Sequence, residues 1–169
     1  FLLKEIFEGA DSIRNSLRGR ILASEGIVKL GGIERLDDKL KKVKKVIIVA
    51  CGTSYYSGLV GRYMMEELGG VVCSVEHASE YRYRKTVLEE DTALIAISQS
   101  GETADTLAAL REAKRRGVPT IGVVNVVGSS IARETDVGVY NHIGPEIGVA
   151  STKAFISQLS ILALLAVYF

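Results

Sequence analysis

Five short apolar runs, separated by stretches of helical character, constrain the fold of this chain more than any other feature of its sequence. The runs are rich in valine and isoleucine and almost continuously apolar, which is typical of strands buried on both faces of a parallel sheet. Strands that alternate with helices predict a three-layer α/β/α sandwich. The predicted strands are residues 46–50, 71–75, 93–97, 120–124 and, more weakly, 137–140.

The stretches between the runs predict the helices that complete such a sandwich. For five parallel strands we expect the flavodoxin-like order 2-1-3-4-5, in which ligands bind beyond the carboxyl ends of the strands where the order reverses. The first 45 residues lie outside the repeating unit, and we interpret them as an N-terminal helical extension with one long helix and a second at 33–42. The other predicted helices are residues 55–68, 106–116, 129–134 and 152–169.

The last of these helices is apolar on nearly all sides. We expect that the surface of one domain does not cover it completely, and we therefore predict self-association, most simply as a homodimer. Leu162, Leu165 and Phe169 should lie in that contact or beneath a neighbouring helix. A chain that begins and ends inside predicted helices is interpreted as part of a longer protein, here a single domain spanning residues 1–169.

Length and charge restrict the class of protein. A chain of 169 residues is long enough for one domain with a substantial core. Its 21 basic and 20 acidic residues give a net charge of +1, so we expect neither nucleic acid nor an anionic membrane as a partner. The closing apolar helix is interrupted by Lys153 and Gln158 and is shorter than the about 20 residues that a membrane span needs.

The cysteines and histidines predict no metal or redox chemistry. Cys51 and Cys73 belong to no C-x-x-C pair, which leaves a zinc or disulfide-exchange site without support and favours a reducing, cytoplasmic setting. His77 and His142 each stand alone and are interpreted as structural. A G-x-G-x-x-G fingerprint and a Walker A loop are both missing from the sequence, so a nicotinamide or nucleoside-triphosphate enzyme is disfavoured. We expect no metal and no organic cofactor.

Two polar corners follow the first and third predicted strands, at residues 51–54 and 98–103. A helix N-terminus has unsatisfied N–H donors and a partial positive charge, so hydroxyl side chains there form a cradle for a phosphate group. Because the expected strand order places the first and third strands side by side, the two corners should be neighbours. The sequence therefore predicts a site for a phosphorylated small molecule.

Helix capping is the competing interpretation of these hydroxyl groups. A cap before the first helix needs Thr53 or Ser54 but not both, and it does not exclude contact with a ligand. A single cap at the second corner leaves Ser98, Gln99 and Ser100 unexplained, which favours phosphate binding there. Ser151 precedes the closing helix, and capping is a strong alternative to a ligand role for it.

At these residues the chain resembles the isomerase half of the glutamine–fructose-6-phosphate aminotransferases, the glucosamine-6-phosphate synthase family. The segment that begins at Ser98 would by itself indicate only the broader class of sugar isomerase (SIS) domains, but its combination with the other segments is more specific. The resemblance extends over essentially the whole chain and implies the first SIS domain of that half with its preceding helix. The shared segments are residues 51–54, 78–85, 98–106, 128–130 and 146–155.

The resemblance implies a binding site for fructose 6-phosphate or glucosamine 6-phosphate. The residues implied to hold the phosphate are Ser98, Gln99, Ser100 and Thr103, those implied to contact the sugar are Thr53 and Ser54, and those implied to line the same pocket are Val149 and Ser151.

The resemblance also implies that substrate binding and catalysis involve different domains. In the family, the catalytic lysine, glutamate and ring-opening histidine lie in a second SIS domain, and a separate glutaminase domain precedes the first. We therefore expect this chain to hold most of the phosphate site, no catalytic residue, and no activity on its own. Two other functions stay open: a phosphosugar-sensing regulatory module, and a single-domain phosphosugar isomerase whose base would be Glu80, Glu102, Glu146 or His77.

Overall fold

The computed structural model describes residues 1–85 and 87–169. It opens with helices α1 (Leu2–Phe7) and α2 (Gly9–Leu17), followed by a small antiparallel hairpin of β1 (Ile21–Leu22) and β2 (Ile27–Val28). A 3-10 turn at Glu34–Leu36 and the short helix α3 (Asp37–Leu40) complete this segment. The predicted long helix is divided beside Gly9, because glycine is a poor helix former, and the hairpin was not predicted.

A parallel sheet of five strands organises the rest of the described chain. Its strand order is β4-β3-β5-β6-β7, and every neighbouring pair is parallel. This is the predicted order 2-1-3-4-5, counted from the first strand of the sheet. The strands are β3 (Lys45–Ala50), β4 (Val72–His77), β5 (Thr92–Ser98), β6 (Thr120–Val124) and β7 (Val137–Tyr140).

Helices cover both faces of this sheet and complete the predicted three layers. Alternate residues of the strands feed two separate cores, as the pleat of a strand requires. Val46 and Ile48 lie in the core beneath α4 and α8, whereas Ile47 and Val49 lie in the core beneath α5 to α7. These helices are α4 (Gly52–Glu67), α5 (Ala78–Tyr81), α6 (Ala104–Arg115), α7 (Ser130–Glu134) and α8 (Lys153–Tyr168).

Most of the apolar helix α8 is covered within the chain itself, although Val167 near its end is 53% exposed. It packs between α4 and α2, and both Leu162 and Leu165 are fully buried. These two side chains are therefore shielded by neighbouring helices and are not available to a second copy of the chain. Leu162 and Leu165 consequently give no support to the predicted homodimer, which stays a prediction. No helix in the described part of the chain is long and apolar enough to cross a membrane.

Candidate functional site

The two polar corners lie next to each other at the carboxyl edge of the sheet. Strands β3 and β5 are hydrogen-bonded neighbours, with Ala50 opposite Ile97 at their carboxyl ends. Just beyond them, Cys51 Sγ lies 3.7 Å from Thr106 Oγ1, which joins the start of α4 to the first turn of α6. The strand order thus produces the juxtaposition that the sequence predicted.

The second corner is built around the side chain of Ser98, the last residue of β5. Ser98 is only 3% exposed, and its Oγ lies 2.8 Å from Thr103 Oγ1. The same oxygen accepts a hydrogen bond from the backbone N–H of Gly101 at 3.0 Å. Ser100 Oγ in turn accepts the N–H of Glu102 at 3.2 Å. These contacts fold residues 98–103 into a compact loop lined by hydroxyl groups.

The start of helix α6 remains open to a ligand. Thr103 occupies the N-cap position with an extended backbone, yet no side chain of the described residues forms a capping hydrogen bond at this end. The Thr103 hydroxyl faces Ser98 instead. The first N–H groups of a helix have no partner within the helix, and here they lie beside three hydroxyl groups. Capping therefore does not explain the hydroxyl groups at this corner, whose arrangement with the helix start is chemically suited to an anion.

Helix α7 supports the loop from behind. Gly101 has a φ of +69°, and a Cβ at this position would lie 2.0 Å from the Ser129 Oγ. Its carbonyl oxygen accepts the N–H of Ile131 at 2.9 Å. Glu102 Oε1 accepts the N–H of Ser130 at 2.7 Å, and hydrogen bonding from Ser130 lowers the pKa of the Glu102 carboxyl group. Glu102 is thus held as an ionised hydrogen-bond acceptor at the start of α7.

The first corner presents one exposed and one anchored hydroxyl group. Thr53 is exposed, whereas Ser54 Oγ accepts a hydrogen bond from Gln158 Nε2 at 2.9 Å. Gln158 is 2% exposed, and its Oε1 lies 2.9 Å from the hydroxyl of Ser57. Gln158 was not predicted to belong to the site. The sequence nevertheless indicates an unusual residue here, because a glutamine interrupts an otherwise apolar helix.

A cleft extends from Gln99 towards the loop before α8, with a volume of about 540 Å³. Asn125 organises one wall: its N–H donates to the Gln99 carbonyl at 3.2 Å, and its Nδ2 donates to the Gly144 carbonyl at 2.7 Å. Pro145 and Glu146 line the same cleft. The loop that carries the predicted pocket residues therefore begins beside Gln99, at the predicted phosphate cradle.

Glu146, and not Ser151, caps helix α8. Glu146 Oε1 accepts the N–H groups of Thr152 at 2.8 Å and of Ala154 at 3.1 Å. Ser151 Oγ lies 3.3 Å from the other carboxylate oxygen. The capping interpretation of Ser151 is therefore wrong, because a charged carboxylate from the preceding loop satisfies these donors. Val149 is fully exposed, and the described contacts do not connect it to the cradle.

His77, one of the candidate bases, and His142 both have structural surroundings. His77 stacks on Tyr55 with the ring centroids 3.6 Å apart. His142 follows β7 with a φ of +59°, and burial lowers the pKa of its imidazole. Across the described residues, no group of three or more histidine, cysteine, aspartate or glutamate side chains could hold a metal ion.

Comparison with known proteins identifies the family. The model of the SIS domain matches residues 39–168. Glutamine–fructose-6-phosphate aminotransferase [isomerizing] of Chlorobaculum tepidum is 54% identical over 98% of this chain, and that of Methanosarcina mazei is 51% identical over 100%. The chain spans 27% of the length of each.

A solved structure gives the same result. The C-terminal domain of glucosamine-fructose-6-phosphate aminotransferase from Francisella tularensis matches 98% of this chain with a TM-score of 0.91 and 43% identity, and the match covers 46% of that structure. The resemblance to the isomerase half of these aminotransferases is confirmed. The chain belongs to the SIS-domain family.

Proposed function

We propose that this chain is the first SIS domain of a glucosamine-6-phosphate synthase and binds fructose 6-phosphate or glucosamine 6-phosphate. The observation that carries the proposal is the uncapped start of α6 beside the hydroxyl groups of Ser98, Ser100 and Thr103. A helix N-terminus combined with hydroxyl donors suits a phosphate dianion. The aminotransferase relatives, whose names state an isomerising reaction on fructose 6-phosphate, support this choice of ligand.

The role of the domain in this proposal is to bind and orient the sugar phosphate. Isomerisation moves a proton between C1 and C2 of the open-chain sugar and needs a base within hydrogen-bond reach. Holding the phosphate fixes the position of these carbons and raises the effective concentration of the reacting groups. The base and the source of ammonia then come from other parts of the enzyme, for which the chain's 27% share of its relatives leaves room.

A single-domain isomerase is disfavoured by the surroundings of its candidate bases. The carboxylates of Glu102 and Glu146 accept backbone N–H groups at the starts of α7 and α8. For Glu102, hydrogen bonding from Ser130 favours the ionised form and reduces its basicity. His77, another of the four candidates, stacks on Tyr55.

The proposal extends to the setting of the domain. We assign residues 1–169 to one SIS domain with residues 1–45 as its N-terminal extension. Its partners would be a second SIS domain, a glutaminase domain and a second copy of the protein, with neither nucleic acid nor membrane involved. Cys51 and Cys73 are both free in the structure, which fits a reducing cytoplasm.

Isothermal titration calorimetry on the 169-residue chain tests the proposal. Fructose 6-phosphate and glucosamine 6-phosphate should bind, inorganic phosphate should bind more weakly, and unphosphorylated fructose should bind most weakly. Ser24→Ala, in the exposed turn of the β1–β2 hairpin, serves as a matched control and should leave every affinity unchanged. Equal affinity for fructose and fructose 6-phosphate would contradict a phosphate site.

A further inference from the structure

Two buried ionic side chains connect the N-terminal helices to the loop before α8. Glu5 on α1 is 4% exposed, and its carboxylate accepts the N–H of Ile147 at 2.7 Å and that of Gly148 at 3.1 Å. Lys153, the first residue of α8, is also 4% exposed and donates to Glu8 Oε2 at 2.6 Å. The loop is therefore fixed at its middle and at its end by charges that belong to the N-terminal extension.

The contact at Glu5 is both strong and sterically demanding. Hydrogen bonds from backbone N–H groups to a carboxylate are charge-assisted and stronger than those between neutral groups. A Cβ on Gly148 would lie 2.5 Å from Glu5 Oε2, so the carboxylate or the loop would have to shift to admit it. Removal of the Glu5 charge and addition of a methyl group at position 148 should therefore both displace the loop at Ile147 and Gly148.

The same loop forms a wall of the candidate sugar-phosphate site. Its first residues, Gly144 and Pro145, line the cleft that Gln99 also lines. Glu146 holds the Ser151 hydroxyl and the Thr152 N–H through its two carboxylate oxygens. Ile147 and Gly148 lie between the residues that line the cleft and the residues that Glu146 holds. A displacement of Ile147 and Gly148 should therefore move both of these parts of the loop. The phosphate cradle itself, on β5 and α6, makes none of its described hydrogen bonds with Glu5.

We propose that Glu5 is a positioning residue for the sugar-phosphate site, which sets the loop of residues 144–152 against the sugar while leaving the phosphate cradle unchanged. The N-terminal extension is then part of the binding machinery, and a movement of α1 alters the affinity for the sugar. This inference rests on the proposed function. It assigns to the N-terminal extension a role in recognising the sugar, whereas the cradle residues recognise the phosphate.

The test compares two ligands in the same variants. Calorimetry measures the affinity of the 169-residue chain and of Glu5→Gln for fructose 6-phosphate and for inorganic phosphate. We expect Glu5→Gln to bind fructose 6-phosphate at least about fivefold more weakly and inorganic phosphate as well as before. Glu25→Gln removes the same charge from an exposed hairpin turn and should change neither affinity.

Gly148→Ala provides an independent route, because it disturbs the contact from the loop side and keeps the carboxylate. It should produce the same selective loss, and the amide resonances of Ile147 should shift in both variants. Equal losses for the two ligands, or no loss for either, would overturn the positioning role. Failure of the unmodified chain to bind fructose 6-phosphate would instead refute the proposed function, and the positioning role with it.

Discussion

The hydroxyl oxygen of Ser98 lies 2.8 Å from that of Thr103, and this contact joins the end of β5 to the start of α6. A hydroxyl group has one proton to donate and two lone pairs to accept with. Whichever of the two hydroxyls donates in this pair, the other keeps its proton for a further acceptor. The pair therefore stiffens the loop and still offers a donor beside the open helix end.

Removal of the Thr103 hydroxyl should weaken phosphate binding without changing the fold. In Thr103→Ala the lost hydrogen bond to a charged ligand should cost about 1.5–3 kcal/mol of binding free energy. Thr103→Ser retains the hydroxyl and should bind fructose 6-phosphate like the unmodified chain. Calorimetry measures the affinity of both variants for fructose 6-phosphate. Equal affinity in Thr103→Ala and Thr103→Ser would show that the phosphate binds elsewhere.

Gly101→Ala should damage the cradle more than the same change at Gly128. Both glycines have positive φ values, +69° and +74°, so alanine is strained at either position by about 1–3 kcal/mol. Only at position 101 would the new Cβ also collide with Ser129, at 2.0 Å from its Oγ, whereas nothing lies within 4 Å at position 128. The urea midpoint and the affinity for fructose 6-phosphate should both be lower in Gly101→Ala. Equal urea midpoints in Gly101→Ala and Gly128→Ala would show that α7 moves to admit the new Cβ at no cost in stability.

The sheet and the juxtaposition of the two polar corners could be predicted from the sequence because both depend on local patterns. Strands buried on both faces appear as continuous apolar runs, and parallel connectivity then places the carboxyl ends of β3 and β5 together. The β1–β2 hairpin was missed because strands of two residues, such as Ile21–Leu22, are too short to show an alternating pattern. The helices that cover Leu162 and Leu165 could not be identified beforehand, because the sequence does not show which helices pack against α8.

The supporting side chains of the site were harder to predict, because each acts on a distant part of the chain. Gln158 reaches Ser54 across 104 positions, and Glu5 reaches Ile147 across 142. Buried polar groups acquire such partners only once the fold is formed. A polar residue in an apolar helix, such as Gln158, can be recognised in the sequence. The spacing of residues does not reveal which distant group it will contact.

Gln158→Leu should lower both the stability and the affinity of the chain. The leucine cannot hydrogen-bond to the Ser57 hydroxyl, which is fully buried, or to Ser54, so we expect a loss of about 1–3 kcal/mol in the free energy of unfolding. Fructose 6-phosphate should bind more weakly because the Ser54 hydroxyl is no longer held. Ser160→Ala, on the same helix, removes only a bond to the Ile156 carbonyl and serves as the control. An unchanged affinity in Gln158→Leu would exclude Ser54 from the site.

The contribution of Glu5 to stability should depend on pH. Hydrogen bonds from the Ile147 and Gly148 N–H groups hold the pKa of this carboxyl below its ordinary value of about 4.3. A lowered pKa in the folded state means that the stabilisation is fully present above the ordinary pKa and is lost as the pH falls through the lowered one. Urea unfolding of the unmodified chain and of Glu5→Gln should therefore differ at pH 7, and the difference should shrink as the pH falls below about 4.3. A difference that stays constant over this range would show that the carboxylate charge is not what stabilises the loop.

The 169-residue chain alone should not convert fructose 6-phosphate into glucosamine 6-phosphate, with either glutamine or ammonia as the nitrogen source. A proton transfer between C1 and C2 needs a free base near these carbons. The candidate carboxylates Glu102 and Glu146 both accept backbone N–H groups at helix starts. Product formation followed by NMR, at ligand concentrations that calorimetry shows to be saturating, provides the measurement. Turnover that disappears in Glu102→Gln or Glu146→Gln would show that the chain carries its own base and is an isomerase in its own right.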